Sequence, residues 1–338
     1  MKNKQSIIII IAGFVFLFIT LYFLFFVRIT EKKYNGIMCY YIAHNVTLHS
    51  KGFEDKVVAL RDFVHENIHP LEGYHNRLDT VATEKLISGI GWCDQQARVF
   101  IQLARSIGIK SRLLFLRSES GDSPHSVAEA FAPDNRWIIV DPMFRLDLLT
   151  KSGKLASQDD IRNDPSIISN NKRVRLRAEY DPSWSDPKFL AIYSNPPSYI
   201  MTKRGIKFDF FKRIPLTWIR PIVNIIQDRY FNQFKQGIND IYEFRMIKAR
   251  GYHLLGYYDR SEIMYRDIIK NSNNLQLTYK AEFYYAVLLK DKAKYEEADK
   301  YISETTKKIP LSPYMPYLLD VRARILEKMG RCEETTKF

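Results

Sequence analysis

The sequence predicts an α+β protein in which a cysteine-bearing helix packs on a small antiparallel sheet. An N-terminal transmembrane helix precedes this core, and an α-helical repeat region follows it. Three observations carry the expectation. Residues 7–27 form an apolar run broken only by Thr20 and Tyr22. Residues 53–144 switch from helical to strand periodicity. Beyond residue 241, small residues recur at a fixed interval on helical text.

The apolar run has the length needed to cross the ~30 Å hydrocarbon core of a bilayer. It exceeds the ~7–15-residue core of a signal peptide, and no small-residue cleavage site follows it. Residues 1–30 are therefore read as an uncleaved signal anchor. Lys2 and Lys4 precede the run, and Arg28, Lys32 and Lys33 follow it, so the positive-inside rule is close to a tie. A short basic leader that stays inside predicts an extracytoplasmic body, periplasmic or on the cell surface.

Composition sets wider bounds. With 338 residues, 46% hydrophobic and 26% charged, the chain is globular and has room for about two domains. The three cysteines, Cys39, Cys93 and Cys332, cannot make a disulfide framework. No Cys/His cluster has zinc spacing. His65 and His69 lie four apart with His75 beyond them, but His69 precedes Pro70 and no carboxylate completes a site, so no metal is expected. The formal charge of +13 permits anionic partners. No nucleic-acid-binding motif accompanies it, and nucleic acid is not expected as a partner.

Within 50–150, residues 53–68 place Val57, Val58, Leu60, Phe63, Val64 and Ile68 at helical spacing. Residues 82–87 read as a short helix ending at Gly89. A helix over 93–107 carries Ala97, Val99, Phe100, Ile101, Leu103 and Ala104, with Gly108 as its C-terminal stop. Residues 112–117, 127–131 and 137–140 read as strands, the last two joined by a Pro133-Asp134-Asn135 turn.

Residues 151–240 hold seven of the fourteen prolines and 16 Lys/Arg against 9 Asp/Glu. This basic, aromatic-rich region is read as a connection wrapped on its neighbours. Its segment 208–220 is also suited to a membrane surface. From 241 to 338, Ala249, Ala286 and Ala323 recur every 37 residues, with Gly256, Ala293 and Gly330 seven residues after each. The pattern resembles the tetratricopeptide repeat and predicts a protein-binding region, so chemistry is sought elsewhere.

The chemistry is expected at Cys93, His125 and Asp141. Cys93 follows Gly91-Trp92 and opens a helix, whose N-terminus favours a thiolate. His125 begins a strand, Asp141 ends the next one, and a hairpin sets the two strands side by side. A nucleophile, a base and an orienting carboxylate are the parts of a thiol acyl-transfer site. Glu129 could share a face with His125 and is read as structural.

Residues 91–112, with His125-Ser126-Val127-Ala128-Glu129 and Trp137-Ile138-Ile139-Val140-Asp141-Pro142, resemble the transglutaminase-like superfamily. The resemblance covers about 53–144 and implies a papain/transglutaminase-like core without an obligatory cofactor. It makes Cys93, His125 and Asp141 the catalytic triad and a peptide-like amide the substrate. Trp92 is a candidate wall for that substrate. Val127 stands where many members of the family have an aromatic residue. Peptidase, amidase and acyl-transfer outcomes stay open, as does a catalytically silent scaffold that binds proteins through its repeats.

Overall fold

A computed structural model of the chain describes residues 13, 29–71, 81–178, 182–200, 215–234, 238, 240–331 and 333–334. The expected membrane span, His75, Cys332 and most of the basic-aromatic segment lie outside these residues. Among the described residues, no helix is long and apolar enough to cross a membrane.

Among the described residues from 29 to 106, the helices are α1 (Glu31–Val46), α2 (Phe53–Asn67), α3 (Ala82–Ser88) and α4 (Cys93–Ser106). Strands β1 (Ser111–Leu116), β2 (His125–Phe131) and β3 (Trp137–Val140) follow. The expected elements match these to within one or two residues. Short helices α5 (Gln158–Asn163), α6 (Ser166–Ser169), α7 (Lys172–Ala178) and α8 (Pro187–Ala191) lead to strand β4 (Ser198–Ile200). The long α9 (Leu216–Phe234) precedes five helices: α10 (Ile241–Leu254), α11 (Tyr258–Asn271), α12 (Leu275–Asp291), α13 (Tyr295–Lys308) and α14 (Met315–Lys328).

The sheet order is β3-β2-β1-β4 with every neighbour antiparallel. Leu116 pairs with His125 and Ala128 with Val140. Alternation along each strand divides the sheet into two faces. Leu113, Ala128, Ala130, Ile138 and Val140 face the core that α4 enters with Ala97, Val99, Phe100, Leu103 and Ala104. Burying each large side chain of that stripe contributes about 1.5–3 kcal/mol relative to exposure. Leu114, Leu116, Val127 and Ile139 face a second core, built by Leu146, Leu148, Ile161, Trp184 and Tyr193. The described residues between 146 and 193 therefore form a structural layer on the sheet, and β4 extends the sheet along the edge of β1.

Helix α1 is also part of the core. Tyr34, Met38 and Ile42 are fully buried, and the Tyr34 ring stacks on Tyr230 of α9 at 4.0 Å. The helices beyond residue 241 build their own core around Tyr265, Phe283, Tyr284 and Leu318. Gly256, Ala293 and Gly330 all adopt positive φ, at 74°, 55° and 74°, after α10, α12 and α14. Arg250 of α10 is fully buried and joins the two cores. It donates to Asn67 Oδ1 and the Leu86 carbonyl at 3.0 Å each, and it lies 3.7 Å from the Tyr284 ring centroid.

Candidate active site

The approach to Cys93 is fixed by backbone hydrogen bonds. His69, just past the end of α2, donates its N–H to the Gly89 carbonyl at 3.0 Å. The Gly91 N–H donates back to the His69 carbonyl at 3.1 Å. The Trp92 N–H then donates to Gln95 Oε1 at 2.8 Å, which closes the first turn of α4. Cys93 opens that helix, is half-buried and is not in a disulfide. N–H groups in a first turn lack intrahelical partners and carry partial positive charge, so this end of the helix suits an anion.

His125 opens β2 and is 3% exposed. Its Nε2 lies 2.8 Å from Asp141 Oδ2. The Cys93 side chain lies close enough to act on the imidazole. Because Nε2 meets the carboxylate, Nδ1 is the ring nitrogen left for the thiol. The ring stacks on Phe144 at 4.4 Å between centroids. Burial by itself would lower the imidazole pKa. The charge and hydrogen bond of Asp141, and the Cys93 side chain, outweigh it and raise the pKa to about 9.

Asp141 follows β3 and is fully buried. Three donors meet its carboxylate. His125 reaches Oδ2, the Phe144 N–H donates to Oδ1 at 2.9 Å, and the Tyr193 hydroxyl donates to Oδ2 at 2.6 Å. Burial opposes the charge, but His125 and these hydrogen bonds keep the carboxyl below its usual range.

The structure thus brings Cys93, His125 and Asp141 together across an α4 N-terminus and two strand ends. Trp92 stands at the N-cap position of the same helix and is 37% exposed. Glu129 is buried in an ion pair, 2.5 Å from Arg112 Nε. His65 Nδ1 lies 3.1 Å from each of the Pro142 and Met143 carbonyls, and His69 packs between Phe283 and Tyr317. Among the described residues, no group of three His, Cys, Asp or Glu is placed to hold a metal ion. A larger cavity of about 790 Å³, lined in part by Glu84, Glu243 and Lys280, contains none of the three candidate residues.

Two supporting residues escaped the sequence reading. Phe144 lies just past the Asp141-Pro142 motif, and its stacking on His125 has no spacing signal. Tyr193 is 52 positions beyond Asp141, inside the region read as a connection. Only the packing of that region on the sheet brings its hydroxyl to the carboxylate.

Residues 40–142 match the sequence profile of the core domain of the transglutaminase-like superfamily. This part of the chain is a transglutaminase-like domain. Among solved structures, a candidate cysteine protease from Cytophaga hutchinsonii is similar at 23% identity and a TM-score of 0.29. The likeness covers 40% of this chain and 44% of that one, and so loose a superposition carries no functional argument. No curated protein matches the chain.

Proposed function

We propose that the protein is a thiol enzyme acting on peptide-like amide bonds, with Cys93 as nucleophile, His125 as acid and base, and Asp141 as the group that orients His125. One observation carries the reading: a buried histidine hydrogen-bonded to a buried carboxylate, with a cysteine at a helix start beside it. A protonated imidazole beside the sulfur stabilises a thiolate.

The reaction follows from that pair. The Cys93 sulfur attacks the amide carbonyl, and an S–C bond forms. The developing oxyanion takes hydrogen bonds from first-turn N–H groups, that of Cys93 among them. His125 gives its proton to the amide nitrogen, the C–N bond breaks, and the amine leaves. Water or an amine then attacks the thioester, returns a proton to His125 and frees the thiolate. Asp141 stays ionised throughout and holds Nε2–H, so that Nδ1 faces the sulfur. Water as the second nucleophile makes the protein a peptidase or amidase; an amine makes it an acyltransferase. Trp92, exposed beside the nucleophile, is the candidate wall for substrate. No cofactor is required.

The wider organisation belongs to the same reading. Residues 7–27 would anchor the chain in a membrane with its body on the extracytoplasmic side. The helices beyond 241 would bind a protein partner, as the resemblance to the tetratricopeptide repeat implies; the left-handed positions at Gly256, Ala293 and Gly330 recur at the interval of that repeat.

The test is the rate at which Cys93 is alkylated across pH 5–9, with Cys39 and Cys332 changed to Ser. Fast alkylation near neutral pH, slowed roughly 10-fold or more in His125→Ala, supports the pair. Equal and slow rates in both would leave a silent scaffold.

A further inference from the structure

The cavity of about 790 Å³ is lined by described residues of α1, α3, α9, α10 and α12. Its size is that of a small-molecule pocket, ~300–1,000 Å³. Ile87 of α3, Phe244 and Ile247 of α10 and Leu277 of α12 give it an apolar wall. Two lysines share that lining, Lys85 of α3 and Lys280 of α12.

Packing does not account for these lysines. Lys85 is only 8% exposed, yet among the described residues its ammonium makes no hydrogen bond or ion pair. Lys280 is partly buried, and its ammonium likewise has no such partner among the described residues. A third cation stands behind them. Arg250 is fully buried, and its guanidinium donates to neutral acceptors, Asn67 Oδ1 and the Leu86 carbonyl. Its Nε is buried without a partner. The bond to Leu86 sets Arg250 against α3, one residue from Lys85. Burial and the charge of Arg250 pull the Lys280 ammonium down to about 8, against the opposing charge of Glu243. Glu243, Glu31 and Glu84 also line the cavity, and the last two act on the Tyr230 hydroxyl. Cations held out of water without a bonded counter-charge are costly, and an anion seated between the two lysines offsets that cost.

We propose that this cavity binds an amphipathic anion, with a carboxylate or phosphate head between Lys85 and Lys280 and an apolar chain along Ile87, Phe244, Ile247 and Leu277. Charge complementarity selects the head, and the apolar wall selects the chain. The inference stands apart from the reading of Cys93, because none of these residues belongs to the candidate active site.

The test uses the full chain in nanodiscs of zwitterionic lipid and follows acetylation of single lysines by peptide mass spectrometry. Lys151, whose side chain is 89% exposed, is the reference. Octanoate or octyl phosphate, at ten times its half-protecting concentration, should slow acetylation of Lys85 and Lys280 about 10-fold and leave Lys151 unchanged, because labelling follows the unoccupied fraction. Whichever protects at the lower concentration identifies the head. Octanol, acetate and octyltrimethylammonium at that concentration should give no protection. In Lys280→Met, protection of Lys85 should need roughly 10-fold more of the anion, the effect of losing one charged partner. Lys280→Arg should keep the wild-type concentration. Equal protection by octanol would overturn the anionic head. Protection by octyltrimethylammonium instead would assign the cavity to its carboxylates. No protection by any probe, or protection of Lys85 unchanged in Lys280→Met, would overturn the site.

Discussion

The Tyr193 hydroxyl donates to Asp141 Oδ2 at 2.6 Å, on the same oxygen that faces His125 Nε2 at 2.8 Å. The residue that orients the histidine is thus itself oriented, from a segment 52 positions further along the chain. Tyr193 is fully buried, and its ring packs at 6.3 Å from Phe189, so the hydroxyl has little freedom to leave.

Tyr193→Phe removes one donor from a buried carboxylate while keeping the ring. A hydrogen bond to a charged group contributes about 1.5–3 kcal/mol. Cys93 alkylation should slow, and the pKa of the Asp141 carboxyl should rise. An NMR titration of the labelled carboxyl reads the second effect, which a loss of packing alone would not produce.

The pH dependence of stability follows from His125. Its pKa in the fold is raised from an ordinary ~6.5 to about 9. The protonated ring therefore stabilises the fold fully below ~6.5, and that contribution is lost as pH rises through about 9. Urea unfolding should show wild type losing up to ~3 kcal/mol relative to His125→Gln between pH 6.5 and 9.5. A constant difference across that window would contradict the assignment. Asp141 acts with the opposite sign: its depressed pKa contributes stability above the ordinary ~3.9, lost as pH falls through the lowered value.

The described cysteines should separate cleanly. Cys39 is 2% exposed, and burial pushes its thiol up to about 12. Cys93 is half-buried at a helix start beside an imidazole. Native protein treated briefly with iodoacetamide at pH 7 should carry label on Cys93 and none on Cys39, read by peptide mass spectrometry. Unfolded protein should carry label on both. Rapid native labelling of Cys39 would show that α1 does not hold its place in the core.

Gly89 ends α3 at φ +67°, and a Cβ there would run into the Tyr284 hydroxyl. Tyr284 cannot swing away, because it is fully buried against Phe283 at 4.8 Å and under the Arg250 guanidinium. Gly108, at φ +89°, has open space around it. Gly108→Ala should therefore cost only the strain of a left-handed alanine, about 1 kcal/mol. Gly89→Ala should cost ~2 kcal/mol or more beyond that, because it also disturbs the joint between the two cores. Equal midpoints in urea for the two variants would refute the close approach.

What the sequence made legible was local. Periodicity placed α2, α3, α4 and the three strands, because each buries a regular stripe against one neighbour. The motif around Cys93, the strand start at His125 and the strand end at Asp141 were readable because antiparallel pairing sets strand ends by register. The left-handed positions after α10, α12 and α14 fall on the interval of 37 seen in the sequence.

The remainder was decided by tertiary packing. The face of the sheet that carries Val127 and Ile139 needs a cover, and only three-dimensional contact shows that described residues between 146 and 193, Leu146, Ile161, Trp184 and Tyr193 among them, supply it. Burial of that layer excludes water from Asp141, which is why its carboxylate must take donors from Tyr193 and the Phe144 N–H. The same holds for α14, whose Tyr317 and Asp320 line a cavity together with Gln96 and Phe144. Residue order and periodicity specify which side chains share an element's face. Which distant face closes over it depends on the apolar area and buried polar groups that remain to be satisfied, and those exist only once the elements have packed.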